Sequence, residues 1–218
     1  MKSETLHLPH HQSLGEEIAS SVSHGVAFLG SVAMTPVLIL SAIPHGAAAI
    51  TGSSIFGATM ILLYLASTLY HAFPQSRTKR LFQIFDHGGI FLLIAGTYTP
   101  FTLGLLRGGW GWTLFGIVWG LAVLGIVVKS IGGASSGKLS TGLYLAMGWL
   151  AVIAAKPLWV NLPAWGLFWL LAGGLMYSAG VFFFVKEKIR YSHFIWHLFV
   201  IAGTACHVVA ILRYAYPS

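Results

Sequence analysis

Charge is scarce in this chain: only 8% of its 218 residues are Asp, Glu, Lys or Arg, against roughly 25% in ordinary soluble domains. Five residues in all are acidic. So few polar groups could not cover a water-exposed surface, which excludes a soluble globular class. Cysteine occurs once, as Cys206 inside an apolar run, so an intrachain disulfide is excluded. A dense basic patch is also missing. The formal net charge of +7 comes from twelve Lys and Arg scattered between apolar runs, so nucleic acid is not expected as a partner. No run alternates in the manner of a strand, and a β-barrel is excluded. No internal repeat or long linker divides the chain, so residues 1–218 are expected to form one domain. The first residues lack the short basic-then-apolar form of a cleaved signal peptide. Residues 1–20 are therefore read as a short cytoplasmic segment, and the first helix is expected to act as its own uncleaved signal.

Apolar residues make up 56% of the chain, with a mean hydropathy of +0.80. A membrane-spanning helix needs about 20 mostly apolar residues. Seven runs qualify, at about 23–43, 47–73, 86–106, 110–129, 139–156, 164–185 and 192–213. Pro44, Pro74, Pro157 and Pro163 fall at their ends, where helices stop. Gly116, Gly120, Gly173 and Gly174 lie inside runs and read as small residues that let helices pack closely. Basic residues set the expected orientation. Lys2, Arg77, Lys79, Arg80, Lys129, Lys138, Lys186, Lys188 and Arg190 belong to the N-terminus and every second loop, against Arg107, Lys156 and Arg213 on the other side. The expectation is an all-α membrane protein, a seven-transmembrane helix bundle with its N-terminus cytoplasmic and its C-terminus outside. That is the reverse of G-protein-coupled receptors. Trp110, Trp112, Trp159 and Trp165 read as interface anchors on the outer side.

The polar residues converge. In this topology His24, His71 with Ser67, Asp86, and His193 with His197 all come to one layer near the cytoplasmic surface, although they are distant in sequence. Helical phase adds to this, because residues four apart share a face. Tyr64, Ser67 and His71 form one stripe, Asp86 and Thr97 another, and His193, His197, Thr204 and His207 a third. Glu17, His24, Ser31 and Thr35 form a fourth if the first helix extends back that far. Such stripes should face the bundle interior, because lipid offers them no partner.

A metal is the most economical reason for the cluster. HxxxH presents two imidazoles on one helical turn, and His71 supplies a third. Three histidines with an open position describe catalytic zinc. Asp86 could hold the water, orient a ligand or take a proton, and Ser67 could bond the water or a substrate carbonyl. Glu17 and His24 are accessory candidates for closing the site. The plainer alternative is interhelical hydrogen bonding, which is the preferred reading of His207. His87 is expected to pack or face the interface. His7, His10, His11 and His45 are expected to be solvated. A two-haem arrangement on His193 and His207 lacks a matching histidine at the deeper level. A small-ion or proton path along the His193–His207 stripe is a further alternative.

SSVSHGVAF (20–28), ASTLYHAFP (66–74), FDHGGIFLLIAGTYTPF (85–101) and SHFIWHLFVIAGTACH (192–207) resemble the bacterial hemolysin-III family. That family is the prokaryotic branch of the progestin and adipoQ receptor family, which includes the adiponectin receptors. The SxxxH, Asp and HxxxH pattern is also similar to that of alkaline ceramidases. The resemblance runs from about Glu16 to Leu212. It implies seven helices, a cytoplasmic N-terminus and a place in the bacterial cytoplasmic (inner) membrane. It implies Zn2+ held by His71, His193 and His197, with Asp86 contacting it through water and Ser67 nearby. It also implies zinc-activated water attacking a lipid amide, and a role in membrane lipid homeostasis. The short N-terminal segment and the lack of a long C-terminal one argue against a protein hormone as ligand. Continuously apolar helices argue against a secreted cytolysin. A membrane lipid is the expected substrate or ligand. A non-enzymatic lipid sensor with structural zinc is the competing reading.

Overall fold

The computed structural model describes residues 12–132, 137–186 and 188–216, and among them only helices and connecting turns occur. The helices are α1 Leu14–Ala42, α2 Ala47–Ala72, α3 Arg77–Leu103, α4 Gly109–Gly132, α5 Gly137–Gly148, α6 Ala155–Asn161, α7 Ala164–Val185 and α8 Ser192–Tyr214. Six spans are long and apolar enough to cross a bilayer, or seven when the bent pair formed by α5 and α6 counts as one. The solvent-facing pattern is inverted, as a bilayer requires. Along α1, Ile18, Val22, Val26 and Leu29 are exposed, whereas Ser20, His24 and Ser31 are buried. The apolar core of Leu38, Phe56, Met60, Phe91, Val118 and Met147 sits where α1 to α5 meet.

Two helices begin earlier than their apolar runs. α1 starts at Leu14 rather than near 23, so residues 14–20 belong to it. Its cap is a reciprocal box: the Glu16 N–H donates to Ser13 Oγ at 3.3 Å, and the Ser13 N–H donates to Glu16 Oε2 at 3.0 Å. The SLGE sequence carries that signature. α3 starts at Arg77 rather than 86, capped by Ser76, whose Oγ accepts from the Lys79 N–H at 3.1 Å. Hydropathy hides both starts because each opening turn is polar. Lys2, His7, His10 and His11 lie outside the described residues.

The fifth apolar run corrects the expectation of one helix over 139–156. α5 ends at Gly148, a 3₁₀ turn follows over Trp149–Val152, and α6 departs at 51°. Pro157 is the local cause. It lies in the first turn of α6, where its missing N–H is harmless, but it could not continue a helix from upstream without clashing with the carbonyl four residues earlier. Tyr98 of α3 occupies the break. Its Oη accepts from the Ala151 N–H and donates toward the Met147 and Gly148 carbonyls, all at 2.9 Å. Tyr98 thus satisfies the break in the neighbouring helix.

Candidate metal centre

Four helix ends build the site. α1 brings Glu17, Ser20 and His24; the end of α2 brings Ser67 and His71; the start of α3 brings Lys79 and Asp86; the start of α8 brings His193 and His197. The approach of α8 is fixed by Tyr191, which adopts a left-handed backbone (φ 59°) immediately before the helix. Its N–H donates to Glu16 Oε1 at 2.6 Å, so the capping carboxylate of α1 also sets where α8 starts. A non-glycine residue in that conformation persists only when its surroundings hold it there.

His71, His193 and His197 each offer a ring nitrogen, and these atoms all lie within 4.8 Å of one another. The ring centroids are 4.9, 5.0 and 4.7 Å apart for the pairs His71–His193, His71–His197 and His193–His197. The outer partners orient two of the rings. His71 Nδ1 lies 2.8 Å from Glu17 Oε2, and His197 Nδ1 lies 3.3 Å from the Ser20 carbonyl and 3.5 Å from Ser23 Oγ. A carboxylate and a carbonyl accept, so both Nδ1 atoms carry protons and both Nε2 lone pairs turn inward. The Nε2 atoms of His71 and His193 are buried with no hydrogen-bond partner. Buried polar nitrogens are normally satisfied, so this donor set fits a metal ion: three imidazoles, mutually close, two of them with an Nε2 that has no other partner.

Glu17 does more than hold His71. Its Oε1 accepts from Lys79 Nζ at 2.9 Å, and that ammonium also donates to the Tyr70 and Phe73 carbonyls at 3.0 and 3.2 Å. Lys79 is only 4% exposed, so the positive charge expected in a cytoplasmic loop is folded into the protein and clamps the start of α3 to the end of α2. A buried charge without such partners would be costly. Sequence reading placed Glu17 near the site but missed Lys79, whose only local cue is its position in the first turn of an unexpectedly early helix.

Asp86, His24, His87, His193 and His197 line a cavity of about 10 Å³, room for about one water. His24 stacks on His197 at 3.6 Å with an 8° interplanar angle, and neither of its nitrogens has a partner. The Ser67 hydroxyl is fully buried beside Asp86 without a hydrogen bond of good geometry. Lys129, buried at the end of α4, is close enough to Asp86 for their charges to interact. Of the two placements expected for His87, packing or the interface, it takes the packed one and faces the same cavity. The α3 phase alone sets it a third of a turn from Asp86, but α4 and α5 close over that flank. His207 follows the plainer reading, with Nε2 3.3 Å from the Leu170 carbonyl of α7. Leu63, Ile90, Trp196 and Val200 form the wall shared with a second, apolar cavity of about 140 Å³ deeper in the bundle.

An all-helical bundle with an apolar exterior and a buried three-histidine centre at one end defines a multi-pass membrane protein with a potential internal metal site. Residues 12–208 match the profile of the family described as "Haemolysin-III related", and the chain belongs to that family. It is 46% identical over 208 residues to "Hemolysin-3" of Bacillus cereus, covering 95% of each chain. It is 45% identical over 203 residues to a "Hemolysin-3 homolog" of Bacillus subtilis (strain 168), covering 93% of this chain and 95% of the relative. The human "Monocyte to macrophage differentiation factor", a member of the progestin and adipoQ receptor family, is 29% identical over 174 residues, covering 75% of this chain and 70% of that one.

Proposed function

We propose that this protein is a zinc-dependent membrane hydrolase acting on a lipid amide or ester, in a multi-pass bacterial membrane protein whose histidine end faces the cytoplasm. The supporting observation is that ring nitrogens of His71, His193 and His197 lie within 4.8 Å of one another, with outer partners on His71 and His197, and that the buried Asp86 carboxylate lines the same cavity as His193 and His197. Neutral imidazoles in this number favour zinc over harder cations. When bound, zinc supplies Lewis acidity that lowers the pKa of a water and polarises a carbonyl. The chain's own residues do the rest. His71, His193 and His197 hold the ion, and Glu17 keeps His71 in the binding tautomer. Asp86 takes the proton as water adds to the carbonyl carbon, and that proton goes to the departing amine or alcohol as the C–N or C–O bond breaks. Ser67 is placed to hydrogen-bond the carbonyl or the water. The apolar cavity beyond Trp196 and Val200 receives a segment of the lipid chain and excludes water. Wild-type protein in lipid nanodiscs, given amide- and ester-linked lipids, should release fatty acid in a chelator-sensitive way. Absence of release across both classes from zinc-loaded protein would defeat the hydrolase reading.

One observation favours a second reading. The polar cavity holds about one water and no more, which suits a structural ion that ties α2 to α8 in a lipid-sensing protein. In that case Asp86→Asn would leave every measured function intact.

A further inference from the structure

The apolar cavity has a polar inner end, and its hydrogen-bond polarity can be assigned atom by atom. Thr204 Oγ lies 2.9 Å from the Val200 carbonyl, 2.7 Å from Tyr64 Oη and 2.8 Å from Tyr177 Oη. A hydroxyl has one proton, and a carbonyl can only accept, so the Thr204 proton goes to Val200 and both tyrosines donate to Thr204. Tyr177 is left with acceptor lone pairs on a ring that lines the cavity. His207, 9% exposed, lines it too. Its Nε2 donates to the Leu170 carbonyl at 3.3 Å, and in the neutral ring Nδ1 is then a pure acceptor, buried and without a partner. The two rings are 5.5 Å apart. Gly173 makes the room, since a Cβ there would collide with the His207 ring.

The other hydroxyls around the cavity follow the same rule. Thr97 donates to the Leu93 carbonyl, Tyr144 to the His87 carbonyl, Ser178 to the Gly174 carbonyl, and Tyr98 to the carbonyls at the α5 break. These hydroxyl protons and the His207 N–H are all spent on protein, so at these groups the cavity offers acceptors only. An occupant's carbonyl, ester or carboxylate placed there would meet lone pairs, and a purely hydrocarbon chain would leave Nδ1 unsatisfied. Only a donor complements the site.

We propose that this inner end recognises a hydroxyl group carried along an apolar chain, with the unpartnered His207 Nδ1 accepting its proton. The inference rests on the reading of the cavity as a lipid-chain site. His207 lies ten residues beyond His197 on one helix, a rise of about 15 Å. The recognised hydroxyl is therefore well removed from the end of the molecule that meets the histidine centre.

The test is competition against radiolabelled dodecanoic acid on full-length protein in nanodiscs, using dodecanoic acid, ω-hydroxydodecanoic acid and ω-methoxydodecanoic acid, with a chain-length series of the same three. At the best-fitting length the hydroxy acid should bind about fivefold to tenfold tighter than the plain acid, the worth of one net hydrogen bond, and the methoxy acid no tighter than the plain acid. His207→Leu, which removes the Nδ1 acceptor, should bring the hydroxyl preference close to unity while leaving plain-acid binding within about twofold, and Tyr177→Phe, which leaves Nδ1 in place, should retain the preference. The unliganded thermal midpoint of each variant reports that it is folded. A hydroxy acid that binds no better than the plain acid at any length, or a methoxy acid that matches it, overturns the proposal. Failure of even the plain acid to bind overturns the chain-binding reading of the cavity as well. Neither readout depends on metal or turnover, so the hydrolase reading stands or falls separately.

Discussion

The two ends of the bundle are built on opposite plans. Around the histidines, polar groups cross-link four helix ends: Glu17 joins α1 to α2 and α3 through His71 and Lys79, Glu16 joins α1 to the start of α8, and Ser20 joins α1 to His197. The space left is about 10 Å³. Further in, between α3, α5, α7 and α8, the walls are apolar, the cavity is about 140 Å³, and one of the helices beside it is broken. An engineered apolar cavity of about this size stays dry and takes up small hydrocarbons. One end is organised to fix atoms in place, and the other to leave room. A hydrolase that binds an apolar chain and positions a polar bond needs both.

The comparison sharpens into expectations of decreasing size. Asp86→Asn should lower lipid turnover by about 100-fold or more, the usual worth of a general base, with metal content unchanged; stopped assays of fatty-acid release beside elemental analysis check this. Glu17→Ala should cost about 3 kcal/mol, because it leaves the buried Lys79 ammonium with two carbonyls but no counter-charge. It should also weaken metal binding by about 10- to 100-fold through loss of the His71 partner. Thermal unfolding in detergent and zinc-chelator titration read the two effects, and Glu17→Gln should be milder in both.

At the roomy end the effects should be smaller. Gly173→Ala would push a methyl into the His207 ring beside the cavity, an overpacking cost of about 1–3 kcal/mol, with no change in metal content. Tyr98→Phe removes the hydroxyl that satisfies the α5 break and should cost about 1–2 kcal/mol. It should also speed amide exchange at Ala151 without touching the histidine centre. If variants at the two ends instead shifted metal affinity equally, the division would be wrong.

The polar centre was legible because burial in lipid makes helical phase unambiguous. Ser67 and His71, Asp86 and Thr97, and His197 and Thr204 each stand on one stripe of an otherwise apolar helix, and all are buried. The helix starts at Leu14 and Arg77 were hidden by polar opening turns, although the Ser13–Glu16 box was written in the sequence. Lys79 and His87 were not legible. Lys79 becomes buried only because Glu17, 62 residues away, reaches it, and His87 faces the centre only once the neighbouring helices close over it. The α5 break needed Tyr98 from another helix to be stable, and no local pattern announces such a partner.

Metal content is the decisive quantity. Elemental mass spectrometry on detergent-purified protein, beside a folded His193→Ala/His197→Ala double variant, should find about one zinc per chain in the wild type and none in the variant, as the proposed zinc centre requires. Wild-type protein free of metal under chelator-free conditions, or a double variant that keeps its zinc, would contradict it.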